Sequence, residues 1–455
     1  MLPWVELQAP PDPLAIAATL SDLPGLFALV DGVGDGWWAG GRRSFVSADP
    51  DRTSDAMDPF ESGPRVADPR AARLPRWVGV LPYEACRARL ERPSWVGEDR
   101  RPPATMTRHC WHRYPAVIAI DHQLGTVAAY GVSDAAALRL ARRVEQRLSL
   151  TRCEAPRVRA RAVEPGEAHV ERVRAALELI RAGDLYQASL ARRIELELSE
   201  PLGGEGLVAL AIRLLAASPA RFGALLAWPE ASVVSTSPEL LLAASTDVQH
   251  LDDEADRFGA LHTEPIKGTR PLCGDPALDA HRERDLDADP KERAELAMVI
   301  DVERNDLGRV SVPGSVVVEP PRVVVAGRVL HRLAGVRGAA RSDVSREAVL
   351  QSIVPSGSVT GAPKIRAMEV IAQLESARRG LYTGGFGTCS LDGSLRLAIA
   401  IRTAVFPVGG TVGEWLVGGG IVEASDPDGE LAETRWKSRQ IATLTGTPED
   451  SQEWM

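Results

Sequence analysis

The sequence is poor in cysteine. Five occur in 455 residues, at positions 86, 110, 153, 273 and 389, scattered and with no C-x-x-C pair. An odd, dispersed set fits reduced thiols and argues against a disulfide framework or a cysteine-based zinc site. Excess positive charge is also missing: 53 Lys+Arg stand against 62 Asp+Glu, for a net charge of −9. The electrostatic footprint of a nucleic-acid-binding protein is therefore lacking. No stretch approaches the roughly 18 uninterrupted apolar residues of a membrane span. Even VVVAGRVLHRLAGV is broken by Arg328, His331 and Arg332. The opening MLPWVELQAPPDP has no basic segment followed by an apolar one, so a cytoplasmic location is expected. There is no Walker A sequence and no repeat of solenoid period. The G-x-G-x-G at Gly32–Gly36 has no strand-then-helix frame around it and is discarded as a dinucleotide site.

What is present is ordinary globular material, 44% hydrophobic and 25% charged. At ~150 residues per domain the length suggests roughly two to three domain-equivalents. Residues 1–155 read unevenly, with strand candidates at 26–30, 43–46, 77–81 and 116–120, a long polar loop at 49–72 and a helix at 134–148. Residues 151–168 carry two prolines and no apolar periodicity, and read as a linker. From residue 165 to 446 the signals sharpen. Val170, Val173, Leu177 and Ile180 fall on one helix face, with Gly183 as its C′ residue. Residues 185–198 alternate in part like a strand. Further strands are expected at 222–228, 232–236, 240–243, 315–318, 323–330, 384–389, 396–401 and 415–422. Helices are expected at 207–216, 290–304, 344–353, 362–374 and 428–444. Strands come in runs and helices in blocks without βαβ alternation, which predicts an α+β fold with large, mostly antiparallel sheets.

Several residues could carry chemistry. Glu292 with Glu295, and Glu430 with Glu433, form two E-x-x-E pairs within helix candidates. The i,i+3 spacing puts each pair on one helix face. Four such carboxylates suit one hard divalent cation, which takes one or two directly and keeps waters for the rest; the same pattern also suits a solvated surface. Lys267, in EPIKGTRP, is either an ordinary loop lysine or a nucleophile, and a nucleophilic lysine must be neutral. Glycine clusters at 384–387 and 418–420 mark either bulges or close approach of a ligand. His331 lies in a strand candidate. Arg402 closes the apolar strand RLAIAIR, where it either meets an anion bidentately or snorkels to solvent.

Taken in order, the blocks GDLYQASLARR, STSPEL, PIKGTRP, DPKERAELAMVIDVERNDLGRV, VLHRL, PSGSVTGAPKIRAMEVI, YTGGFG, IAIRTA, VGGGIV and ELAETRWKSR resemble the chorismate-utilising enzymes. The resemblance runs from about Glu167 to Thr445. More weakly, through GRRSFVSADP and WVGVLPYE, the first third resembles the N-terminal domain of anthranilate synthase component I. It implies a layered sandwich of large sheets with helices on the outer faces. It also implies a Mg²⁺ ion bound directly by Glu295 and Glu433 and through water by Glu292 and Glu430, holding the ring carboxylate of chorismate. Gly418 and Gly419 would offer backbone N–H groups, and Ser358, Tyr382, Arg402 and Lys437 would contact substrate. His331 would lie near the departing oxygen.

Within the family, anthranilate synthases usually read P-I-A-G-T where aminodeoxychorismate synthases read P-I-K-G-T. Lys267 therefore points to the latter, with the lysine adding to C2, ammonia entering at C4, and Glu239 of the S-P-E motif as general acid and base. That route leads toward 4-aminobenzoate and folate. Cys389, in GTCSLDG, lacks a glutaminase nucleophile frame. Ammonia is thus expected from a separate glutamine amidotransferase subunit in a hetero-oligomer. The alternatives are an anthranilate or 2-amino-2-deoxyisochorismate synthase, or a non-catalytic chorismate-binding scaffold. An acidic insertion, TDVQHLDDEADRFG, separates Glu239 from Lys267 and is expected to form an exposed loop or hairpin extension.

Overall fold

Strands buried on both faces read as continuous apolar runs, with successive side chains serving opposite layers. The strand Leu26–Val30 does this: Phe27 and Leu29 enter one apolar cluster while Leu26, Ala28 and Val30 enter another. Phe222–Ala227 repeats the arrangement, with Phe222, Ala224 and Leu226 on one side and Leu225 on the other. In Leu395–Ile399, Ala398 faces the same inner cluster while Leu395, Leu397 and Ile399 face a third. The computed structural model, which describes residues 2–32, 42–61, 73–87, 101–148, 153–246 and 257–447, shows what these faces meet. A 12-stranded sheet and a 9-stranded sheet pack face to face over the inner cluster. Helices Pro13–Thr19, Asp134–Arg147 and Gly204–Ala217 cover the outer face of the first, and Pro290–Gly308 and Arg346–Ile353 that of the second. The pairings are antiparallel, and the α+β sandwich with outer helices is the architecture.

The first third of the chain is woven into both sheets. Leu26–Val30 pairs with Phe222–Ala227, and Pro75–Leu81 pairs with Gly385–Ser390. The expected linker contains a strand, Val158–Ala162, paired with the end of Gln187–Leu198. Its alternation of Val158, Ala160 and Ala162 with arginines is that of an edge strand, which the flanking prolines disguised. The apolar run expected as one strand at 323–330 is a hairpin, Arg322–Ala326 and Val329–Leu333, reversed at Gly327 with φ +61°. The helix expected at 428–444 is two, Pro427–Lys437 and Gln440–Thr445, divided where the Ser438 hydroxyl bonds back to the Arg435 carbonyl. Strands Phe258–Glu264 and Ile266–Pro271 and helix Pro276–Ala288 had no clear sequence signal. The strands flanking the acidic insertion pair with each other; most of the insertion, like Gly34 and Gly36 and the 62–72 part of the expected loop, lies outside the described residues.

Between strands Pro75–Leu81 and Cys110–Arg113, Gly79 stands opposite Trp111, whose indole lies on the glycine. A Cβ at 79 would sit 2.1 Å from Trp111 Cδ2, and Trp111 is wholly buried. Gly79→Ala is expected to cost about 1–3 kcal/mol through overpacking. A urea-unfolding midpoint equal to that of the parent chain would refute the tight contact.

Candidate active site

The two E-x-x-E pairs arise from one local device used twice. Helix Pro290–Gly308 opens with Asp289 capping the Lys291 and Glu292 amides, and helix Pro427–Lys437 opens with Asp426 capping Gly429. Each has proline at its first position, where the missing N–H costs nothing. All four glutamates fall in the first two turns, near the positive end of the helix dipole. The two helix starts meet over a cavity of about 390 Å³. All thirteen residues expected at the site border it: Lys267, Glu239, His331, Ser358, Tyr382, Arg402, Gly418, Gly419, Lys437, Glu292, Glu295, Glu430 and Glu433.

The carboxylates are in electrostatic tension. Burial pushes Glu295 and Glu430 above the ordinary range, and Glu433 pushes both further. Burial opposes ionisation of Glu433 too, but Lys437, Lys267 and Lys291 outweigh it and hold that carboxyl below its usual value. Glu430 Oε1 accepts from the Ser425 hydroxyl at 2.6 Å, while its Oε2 is buried without a partner. A Cβ on Gly419 would lie 2.8 Å from that oxygen, so only glycine leaves the space. Glu292 turns toward Arg270, 3.2 Å away. An orphaned buried oxygen within an all-carboxylate set fits a hard divalent cation. Three of these ligand oxygens do not converge within 4.8 Å of one another. The set therefore suits a largely hydrated ion with few direct protein bonds, not a closed cage.

Lys267 is not in a loop. It lies on strand Ile266–Pro271, where the register against Val329–Leu333 shifts between Ile266 and Thr269 and Gly268 takes φ +87°. Such a bulge re-aims a side chain. The amine reaches Gly420, where a Cβ would be 3.1 Å from Nζ, and its charge faces Glu239, Glu295 and Glu433. Glu239 is buried and accepts the Ile266 N–H at 3.3 Å; burial raises its carboxyl, with the nearby Ser358 hydroxyl, the Ile266 N–H and Lys267 opposing. His331 Nδ1 is 3.1 Å from Thr269 Oγ1, and its Nε2 is buried without a partner. Burial first, then Arg402 and Arg221, holds the ring well below its ordinary pKa, so it serves as a neutral hydrogen-bonding group.

Arg402, at φ +52°, is lowered to about 10 by burial, with Glu239 alone counteracting. A guanidinium so short of counter-charge suits an anionic partner. Lys437 is engaged internally, 3.0 Å from the Gly418 carbonyl and 2.6 Å from Glu433.

Two buried residues escaped the sequence reading. Gln187, on strand Gln187–Leu198, has both amide atoms buried and unpartnered, with Nε2 beside the same face of Gly420 as Lys267. Arg379 is almost fully enclosed behind Tyr382. It bonds Glu375, the Val359 and Ser189 carbonyls and Thr383, with the Tyr83 and Tyr382 rings at 5.0 and 5.7 Å. The sequence signal, one of two adjacent arginines in ESARRG, was indistinguishable from a surface residue.

The sandwich is shared with solved structures that differ greatly in sequence. Anthranilate synthase component I from Streptococcus pneumoniae superposes with TM-score 0.69 at 23% identity, over 97% of this chain and 92% of that one. MenF, the menaquinone-specific isochorismate synthase of Escherichia coli, superposes with TM-score 0.71 at 18% identity, over 98% and 95%. The fold is thus that of the chorismate-utilising enzymes. The sequence model described as chorismate binding enzyme matches residues 34–443, and the chain belongs to that family. Among curated relatives, an anthranilate synthase component 1 of Haloarcula marismortui is 42% identical over 277 residues, 60% of this chain and 53% of its own. An aminodeoxychorismate synthase of Streptomyces griseus is 40% identical over 231 residues, 50% of this chain and 30% of its own. The matched segment spans about half the length of the anthranilate synthase relatives. Among the described residues no helix is long and apolar enough to cross a membrane.

Removing one partner of a buried ion pair leaves the other charge stranded. Arg379→Leu is expected to destabilise the chain by about 3–5 kcal/mol in urea titration. An unchanged midpoint would show that the network is not a support.

Proposed function

We propose that the chain aminates chorismate at C4 with ammonia, giving 4-amino-4-deoxychorismate on the way to 4-aminobenzoate. The observation that carries this reading is Lys267, which the bulge aims into the cavity beside Gly420, between Glu239 and the glutamates of both helices. Arg402, short of counter-charge, takes one substrate carboxylate. The backbone of Gly418 and Gly419, free of Cβ atoms, admits the other. Glu295 and Glu433, with Glu292 and Glu430 behind them, are the residues that would hold Mg²⁺. When bound, the ion neutralises and orients the ring carboxylate.

The Lys267 amine, having first given its proton to solvent, adds to C2 as the C4 hydroxyl departs with a proton from Glu239, leaving as water. His331, neutral, hydrogen-bonds the departing oxygen. Ammonia then attacks C4, the C2–N bond breaks, Lys267 leaves as a neutral amine, and the new ammonium returns a proton to Glu239. Two easier displacements replace one hard one. Ammonia comes from a glutamine amidotransferase subunit, and the pair works in the cytoplasm. The second reading, anthranilate synthase, is favoured by the 42% identity to the Haloarcula enzyme. A lysine occupying the C2 side of the ring stands against it.

With chorismate, Mg²⁺ and ammonium salt, the expected product is the 4-amino compound, convertible by a lyase to 4-aminobenzoate; 2-aminobenzoate instead would overturn the assignment. Lys267→Ala should abolish the product, and EDTA should do so reversibly. Glu239→Gln should lower kcat by roughly 10²–10⁴. Because burial raises the Glu239 carboxyl, its acid form persists above the ordinary carboxylate range. kcat/KM should therefore fall as pH rises through that elevated value, and a fall already complete in the usual carboxylate range would refute its role.

A further inference from the structure

Behind Glu239, away from the cavity, lies a second buried carboxyl that the proposed reaction does not use. Glu303, on helix Pro290–Gly308, is 1% exposed. Its Oε1 accepts a 2.5 Å hydrogen bond from the Ser356 hydroxyl. Ser356 Oγ is 2.9 Å from Ser358 Oγ and also accepts the Ser358 N–H at 3.0 Å. Ser358 and Glu239 border the same cavity, and the Ser358 hydroxyl is close enough to favour the ionised Glu239 carboxyl. Two buried carboxyls thus flank a pair of serine hydroxyls, bonded to Glu303 at one end and beside Glu239 at the other, each able to donate to one side while accepting from the other. The turn is pressed onto the helix: a Cβ at Gly357 would lie 2.3 Å from Val302 Cγ1, so the serines have little freedom to turn away.

We propose that Glu303 is a positioning residue that sets the proton occupancy of Glu239 through the Ser356–Ser358 hydroxyl pair, the two carboxyls sharing a proton along that bridge. The inference rests on the acid–base role given to Glu239 above. When Glu239 hands its proton to the departing hydroxyl, the Ser356 O–H turns from Glu303 to Ser358; the Ser358 proton then passes to the new carboxylate, the Ser356 proton to Ser358 and the Glu303 acid proton to Ser356. The negative charge thereby moves to Glu303. It returns when the product ammonium gives a proton back to Glu239. No proton is gained or lost overall, and no co-reactant is needed.

The surroundings suit a carboxyl that exchanges protons in a useful range. Burial raises Glu303 to about 7; Asp306 on the same helix and Glu239 push the same way, while Lys364 and the Ser356 hydroxyl oppose. Asp306 is the group that Lys364 neutralises, at 2.5 Å, with Arg309 and Asn305 also facing it. Glu303 is left with one oxygen on Ser356 and the other unpartnered. Lys364 is therefore spent on the neighbour, and among the described residues the Glu303 carboxyl hydrogen-bonds the Ser356 hydroxyl alone.

The test compares Glu303→Gln, Ser356→Ala and the double variant with the parent chain. With a neutral residue at 303, the alkaline limb of kcat/KM is expected to move to lower pH by roughly one unit, with KM for chorismate within about twofold of the parent. Ser356→Ala should move it the same way with the fold intact, and the double variant should move it no further, since both cut one bridge. A profile superimposable on the parent's would overturn the proposal. So would a uniform loss of kcat at every pH with raised KM, which marks a merely structural role. Infrared titration of the protonated-carboxyl stretch supplies a readout that needs no turnover. The parent should titrate the pair in two steps, and Glu303→Gln should leave one step at lower pH for Glu239. An unshifted Glu239 step would sink the bridge even if the chain aminates chorismate. A shifted step in a chain that forms no amino product would instead sink the acid–base reading and leave the shared proton standing.

Discussion

One buried ion pair holds the working parts of this site in register. Arg379 and Glu375 are almost fully enclosed, and a charged pair is tolerated there because nearly every donor and acceptor is satisfied. Glu375 accepts the Ala191 N–H of strand Gln187–Leu198, while Arg379 bonds Ser189 of the same strand, Val359 of the serine turn and Thr383. A strand, a turn and the Tyr382 loop, far apart in sequence, are thus pinned to one planar guanidinium. Hydrophobic packing alone does not fix such directions. A five-donor fork does.

The cavity in front of that support is built against its own electrostatics. Carboxylates from two helix starts face one another, and three lysines reach among them. Arg402 and His331 are buried with little or no compensating charge. Each group alone is unfavourable. Together they make a pocket with an uncompensated guanidinium on one side and clustered carboxylates on the other. The free energy of the fold, supplied by the three large apolar clusters, maintains this tension.

Much of this was legible beforehand, for identifiable reasons. The E-x-x-E pairs could be read because helix periodicity is short-range and Asp-Pro marks the helix starts. The α+β class with large antiparallel sheets followed from strands grouped in runs, and the sandwich from the family resemblance. Where meaning depends on distant partners, the sequence was silent. Arg379 and Glu303 look like surface residues of polar helices until four other segments close over them. Val158–Ala162 looks like a linker because its partner, the end of Gln187–Leu198, lies more than thirty positions further on. The bulge at Lys267 exists only in the pairing with Val329–Leu333, so the strand carrying it resembled a loop. The first third of the chain shows the same limit: the alignments to curated relatives span 60% of the chain or less in the cases described, while the superposition on a solved structure covers 97%.

That weaving has a consequence for how the molecule is made. Strand Pro75–Leu81 waits for Gly385–Ser390, and Leu26–Val30 for Phe222–Ala227. A growing chain emerging from the ribosome therefore carries early apolar strands, including Trp77, Val78 and Val80, whose lasting neighbour is synthesised some three hundred residues later. At about 5–20 residues per second that interval is tens of seconds of exposed edge. Until then one apolar edge of the early strand stays open to other chains, and cutting the polypeptide after its first third would leave unpaired strand edges on both pieces.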